Sequence, residues 1–173
     1  GGMFDVSHMV VVDLEGAGAQ AFLRRLLAND VARLKQPGKA LYSCMLNQHG
    51  GVLDDLIVYH QREDWYRMVV NAATAHKDLA WMERQASDFD LTIKRRVDLA
   101  MIAVQGPNAR AKALPLLPAD LREPAGALKP FVAADNGAWF VGRTGYTGED
   151  GFEIMLQGAN APELWQALLD AGV

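Results

Sequence analysis

The chain has 173 residues, half of them apolar and 22% charged, an ordinary globular composition and enough length for one domain, or one and part of another. Its net charge of −4 comes with no basic stripe of the kind a phosphate backbone demands, which sets nucleic acid aside as the main partner. A lone Cys44 rules out an intramolecular disulfide, and the longest apolar runs, Met9–Val12 and Leu99–Val104, fall far short of the ~20 residues that cross a bilayer, so no membrane partner is expected.

Met9–Leu14 is rich in β-branched residues and reads as a strand, and Gly18–Leu27 puts Phe22, Leu23, Leu26 and Leu27 on one helical face. Three β-prone runs follow, Ala40–Leu46, Val52–His60 and Trp65–Asn71, separated by the turn-rich NQHGG and the polar QRED, and they read as an antiparallel meander. Thr74–Gln85 returns to the helical period, with Ala75, Leu79 and Met82 on one face and Lys77, Asp78, Glu83 and Arg84 among the polar positions. Leu91–Lys94 and Ala100–Gln105 read as strands. Gly106-Pro107 then opens a helix to about Leu114, with Pro107 at the first helical position, where its missing N–H costs nothing, and Pro115 as the far boundary. Ala138–Val141 and Gly151–Leu156 form a strand pair around a Gly-rich turn, and Pro162–Ala171 closes with a helix. No self-similar repeat is visible. The expected class is α+β, with mostly antiparallel sheets and packed helices.

The stretch GVLDDLIVY sets two adjacent carboxylates at the start of an otherwise apolar strand. Neighbouring side chains in a strand point to opposite faces, so Asp54 and Asp55 cannot jointly hold one ligand by adjacency. Asp55, Ile57 and Tyr59 share one face, and Asp54, Leu56 and Val58 the other; the period does not say which face is the cavity. Two readings stand side by side. Either an Asp caps the Gly50-Gly51 hairpin by bonding local amides, or a buried carboxylate with a raised pKa exchanges a proton with a polar ligand.

A second cluster, RTGYTGEDGFE at 143–153, fits neither a phosphate loop nor a calcium loop. A tight hairpin with solvated Glu149 and Asp150 accounts for most of it. Glu153 differs, because it sits within an apolar strand where an unpaired charge is costly, so a partner or ligand is expected. The four histidines show no zinc spacing, and no metal site is expected. Ser7-His8 reads as structural, and Cys44 as a small core residue.

Taken together, FDVSHM at 4–9, KALYSCMLNQHGGVLDDLIVY at 39–59, VVNAAT at 69–74, QGPNA at 105–109 and GYTGEDGFE at 145–153 resemble the glycine cleavage system T protein family, the aminomethyltransferases. Five pieces in order over nearly the whole chain make the resemblance specific, and it covers the middle portion of a family chain about twice as long. The resemblance implies a multidomain α+β fold around a folate channel. Residues 1–98 would form most of the first folate-binding region and 99–173 a second, incomplete at its C-terminus. It implies transfer of an aminomethyl group from the lipoyl arm of the H protein to tetrahydrofolate as co-substrate, giving methylene-tetrahydrofolate and ammonia. By position Asp55 matches the family's acidic catalytic residue. Met9, Tyr42, Val69 and Asn71 match folate contacts, and Glu153 resembles the carboxylate that reads the pterin edge. The natural protein is expected to be longer, because further folate contacts of the family lie past Val173, and cytoplasmic, or in the mitochondrial matrix of a eukaryote. The alternatives are a non-catalytic folate-binding relative and the folate half of a dimethylglycine or sarcosine oxidising enzyme.

Overall fold

Ten strands and five α-helices form between Gly1 and Val173 in this computed structural model, and every strand pair is antiparallel. The first strand, β1 (Gly2–Asp5), belongs to a different sheet from the strands that follow it. Two units result, one of Met9–Val97 and one of Gly1–His8 with Asp98–Val173.

In the Met9–Val97 unit, β2 (Val10–Glu15) leads into α1 (Ala19–Leu26). The meander β3 (Ala40–Leu46), β4 (Val52–Arg62) and β5 (Trp65–Val70) follows, then α2 (Ala75–Gln85) and β6 (Thr92–Arg95). The sheet order is β3-β4-β5-β2-β6. The apolar run of β2 fits its place inside the sheet between β5 and β6, where Val10–Leu14 are all buried. The charged, four-residue β6 lies at the edge, where Lys94 and Arg95 discourage further pairing. Alternate residues Val10, Val12 and Leu14 of β2, Leu56 and Val58 of β4 and Tyr66, Met68 and Val70 of β5 meet Phe22, Leu23 and Leu26 of α1 and Met82 of α2 in one core. Each such side chain contributes roughly 1.5–3 kcal/mol by burial.

The second unit repeats this order without repeating the sequence. β7 (Leu99–Gln105) leads through α3 (Ala109–Ala113) and α4 (Ala119–Gly126) to the meander β8 (Ala133–Asp135), β9 (Trp139–Gly142) and β10 (Gly151–Gln157), then α5 (Ala161–Asp170). Its sheet order is β8-β9-β10-β7-β1, so β7 takes the place of β2 and β1 that of β6. The two strand-to-helix turns match as well, with Gly16 at φ 141° and Gly106 at φ 130°.

Several expectations change. Residues 1–8 join the second unit, because β1 pairs with β7 from Gly2–Gln105 to Asp5–Ile102. The helix after Gly106 begins at Ala109, and Pro107 sits in the turn before it. β1, β8 and α4 are absent from the sequence reading; α4 even holds Pro124 within it. Asp78 faces inward with Ala75 and Met82, and Leu79 is only half-buried.

Candidate functional site

Strand register gathers the predicted residues of the Met9–Val97 unit on one face of its sheet, the face turned away from α1 and α2. One row across the strands runs Tyr42, Ile57, Val69, Val11. The adjacent row begins with Cys44 opposite Asp55. Asn71, just past β5, and Met9, just before β2, continue the register into that row. Met9, Tyr42, Asp55, Val69 and Asn71 are therefore neighbours because of the pleat and the pairing, although 62 positions separate Met9 from Asn71 in sequence (71 − 9). On the other side, the row Ala40, Tyr59, Arg67, Asp13 closes the face with a buried ion pair. Asp13 accepts both Arg67 Nε at 2.7 Å and Nη2 at 2.8 Å, and a third bond comes from Arg96 at 2.8 Å. Burial would raise the Asp13 carboxyl, but the bonds and charges of Arg67, then Arg96, outweigh it and hold the pKa below the ordinary value.

Asp55 is exposed, not buried as one sequence reading required. Its position comes from two donors. Tyr42 Oη donates to Oδ2 at 2.9 Å, and Asn71 Nδ2 donates to Oδ1 at 3.0 Å. The same Asn71 nitrogen lies 2.9 Å from Asp54 Oδ1. Asp54 and Asp55 do point to opposite faces, but Asn71 stands at the sheet end where it reaches both. Asp54 is turned toward α2 and also accepts Thr74 Oγ1 at 2.8 Å. Although burial raises the Asp54 carboxyl, its hydrogen bonds with Asn71, Asp78 and Thr74 hold it below the usual carboxylate value.

Neither Asp caps the hairpin. That work falls to Asn47, whose Oδ1 accepts His49 N and Gly51 N, each at 2.9 Å. Cys44 is half-buried on the Asp55 face, outside the core. Ser7 Oγ accepts the Met101 amide at 3.1 Å and so ties the chain to β7, as a structural residue does.

In the other unit, Glu153 of β10 is 5% exposed, on the face opposite the Phe152, Ile154 and Leu156 core. Burial raises its pKa, against a hydrogen bond from Thr144 Oγ1 to Oε2 at 2.5 Å. The loop before it is tied down rather than simply solvated. Asp150 accepts Arg143 Nε at 2.8 Å and Arg110 at 3.1 Å, and these bonds lower its pKa. Gln105 is buried and donates to the carbonyls of Thr144 at 3.0 Å and Phe152 at 3.3 Å, while its Oε1 accepts Thr147 Oγ1 at 3.1 Å. Gln105 escaped the sequence reading, yet a polar residue ending an apolar strand was a visible signal for it.

No group of three or more His, Cys, Asp or Glu side chains is placed to hold a metal ion, and no helix is long and apolar enough to cross a membrane.

The sequence profile of the family described as the GCVT N-terminal domain matches residues 1–173. The chain is 37% identical to the glycine cleavage system aminomethyltransferase T of Bartonella henselae, with a TM-score of 0.87 over 96% of this chain and 45% of that one. It thus spans less than half the length of that relative. Heterotetrameric sarcosine oxidase of Corynebacterium sp. U-96 is similar at 16% identity and TM-score 0.66, over 98% of this chain and 82% of the matched chain. The regulatory subunit of aspartate kinase from Thermus thermophilus matches at 13% identity and TM-score 0.53, over 99% and 97%. These two likenesses are of fold alone.

Proposed function

The chain belongs to the family of the GCVT N-terminal domain, and we propose from that premise that it forms part of a tetrahydrofolate-dependent aminomethyltransferase of glycine cleavage. The observation that carries the reading is the placement of Asp55, held by Tyr42 and Asn71 at the end of a face that also carries Met9 and Val69. The residues fit a flat heteroaromatic co-substrate. An aromatic ring, a thioether and a β-branched side chain offer apolar contact, and an exposed carboxylate and a carboxamide offer polar contact at its end. Met9, Tyr42, Val69 and Asn71 would hold the folate, and Asp55 would sit at its reacting nitrogens. Glu153, in the other unit, is a carboxylate held in a buried strand with a raised pKa. A carboxylate in such a place can accept paired N–H groups, of the kind a pterin carries, as a charge-assisted two-point bond.

Tetrahydrofolate supplies two nitrogens, N5 and N10, that together receive the one-carbon unit. In the overall balance two N–C bonds form, while the carbon's bonds to nitrogen and sulfur break. The two folate N–H protons end on the departing ammonia and on the lipoyl thiol of the H protein. Asp55 accepts or returns a proton at Oδ1 or Oδ2, and Tyr42 and Asn71 keep both oxygens aimed. Asn71, bonded at once to Asp54, resists rotation of Asp55 when the site fills.

In the full-length protein containing this segment, with aminomethyl-loaded H protein, Asp55→Ala is expected to lower kcat by roughly a hundred- to ten-thousand-fold. Tetrahydrofolate binding should survive. An unchanged kcat would sink the assignment.

A further inference from the structure

Asp78 is completely buried at the first turn of α2, and neither of its side-chain oxygens receives a hydrogen bond from an ordinary donor. Such a group cannot stay an isolated anion at low cost. The carboxyl beside it is that of Asp54, because Thr74, whose carbonyl accepts the Asp78 amide at 2.9 Å, also bonds Asp54 Oδ2 through its hydroxyl at 2.8 Å. Thr74 stands beside both, but its single hydroxyl proton is directed at Asp54 Oδ2, 2.8 Å away. Two carboxylates have no hydrogen to bond with, so contact between them calls for a proton on one. Asp54 already accepts Asn71 and Thr74 and is the better anion. Asp78, whose one nearby donor is the Thr74 hydroxyl that Asp54 already draws on, is the better acid.

We propose that Asp54 and Asp78 share one proton, carried by Asp78 and accepted by Asp54, and that this pair acts as a positioning device for Asn71 and, through it, Asp55. The functional half rests on the aminomethyltransferase reading; the pair itself does not. The chain of contacts is short. Asp78 meets Asp54, Asp54 Oδ1 takes Asn71 Nδ2 at 2.9 Å, and that nitrogen reaches Asp55 Oδ1 at 3.0 Å. Burial first, then the hydrogen bond and charge of Asp54, raise Asp78 to about 6, against Thr74, the charge of Lys77 and the N-terminal dipole of α2. Below that pH the proton is shared and the contacts close. Above it the buried Asp78 anion and the part-buried Asp54 anion repel, and the hold of Asp54 on Asn71 slackens. The titration belongs to the pair as a unit.

The sign for stability follows. A carboxyl raised in the folded state stabilises fully below its unfolded value of ~3.9, and that contribution is lost as pH rises through about 6.

The test uses the full-length protein with carbon-13 in its Asp carboxyls. A resonance titrating near 6, absent in Asp78→Asn and moved to lower pH in Asp54→Asn, is expected. Titration of Asp78 near ~3.9, or no movement in Asp54→Asn, would overturn the pair whether or not the protein transfers aminomethyl groups. For the positioning half, kcat against pH should show a step near 6 in the wild type. Asp78→Asn, whose amide donates to Asp54 at every pH, should keep kcat and remove the step, while Asp78→Ala lowers kcat about tenfold with KM for folate little changed. A wild-type rate and pH profile in Asp78→Ala would overturn it. Loss of transfer in Asp55→Ala alongside an unmoved Asp78→Ala separates this failure from failure of the functional reading.

Discussion

Tyr42 Oη donates to Asp55 Oδ2 at 2.9 Å, leaving Oδ1 to the Asn71 amide at 3.0 Å. Each oxygen of an exposed carboxylate is thus fixed from a different segment, one in β3 and one just past the end of β5. Tyr42→Phe removes one donor and keeps the ring. A hydrogen bond to a charged group contributes about 1.5–3 kcal/mol, so kcat for aminomethyl transfer should fall by roughly ten- to a hundredfold. The comparison with Asp55→Ala by steady-state kinetics checks this, since the tyrosine change should be the milder.

The Asp13–Arg67–Arg96 cluster should show its weight at acid pH. Its lowered carboxyl contributes stability above the ordinary carboxylate pKa, and that contribution is lost as pH falls through the folded value. In Arg67→Met burial dominates, so the loss should begin at higher pH. At neutral pH the variant should cost about 3–5 kcal/mol by urea unfolding, toward the lower figure because Arg96 remains at 2.8 Å. Acid unfolding at the wild-type midpoint would refute it.

Gly151 lies where a Cβ would come within 2.1 Å of the Val104 carbonyl oxygen, a backbone atom of the paired strand. Gly151→Ala should therefore destabilise by about 1–3 kcal/mol or more. Gly126, where an added Cβ would meet only Leu114 methyls at 3.8–3.9 Å, supplies the control. Gly126→Ala should be neutral or stabilising by about 0.5–1 kcal/mol. Thermal melts of the two variants should move in different directions or by clearly different amounts.

Cys44 faces Asp55 across the β3–β4 pair and is half-buried. Its alkylation, followed at the peptide that carries Cys44, reports on that face directly. Tetrahydrofolate at saturating concentration should slow alkylation of Cys44 in the full-length protein severalfold. Equal rates with and without folate would place the ligand elsewhere.

Much of this was legible in the residues. Period-two alternation assigned Asp55, Ile57 and Tyr59 to one face, and the meander of β3, β4 and β5 follows from turn signals between β-prone runs. Glu153 stood out as a charge within an apolar strand. Other features needed the third dimension. Asp78 reads as a polar position by residue type, although its spacing from Ala75 and Met82 marks the inward stripe. Pro118 and Pro124 punctuate α4 and conceal it, since the first precedes the helix and the second falls in its last turns. The repeated topology left no trace as a sequence repeat, because strand order depends on where apolar residues fall, not on which ones they are.

β1 shares its sheet with β7 and not with its neighbours in sequence, Asp5 lying opposite Ile102. β1 is synthesised before its partner strand and must therefore wait while the whole Met9–Val97 unit emerges. Closing so long a loop is slow rather than costly, since each doubling of length adds only about 0.6 kcal/mol. The Met9–Val97 unit, contiguous in the chain, can complete its sheet in the meantime. Amide protection should accordingly appear in β2, β4 and β5 before it appears at Phe4 and its partner Ala103, and pulse-labelled hydrogen exchange during refolding would show that order.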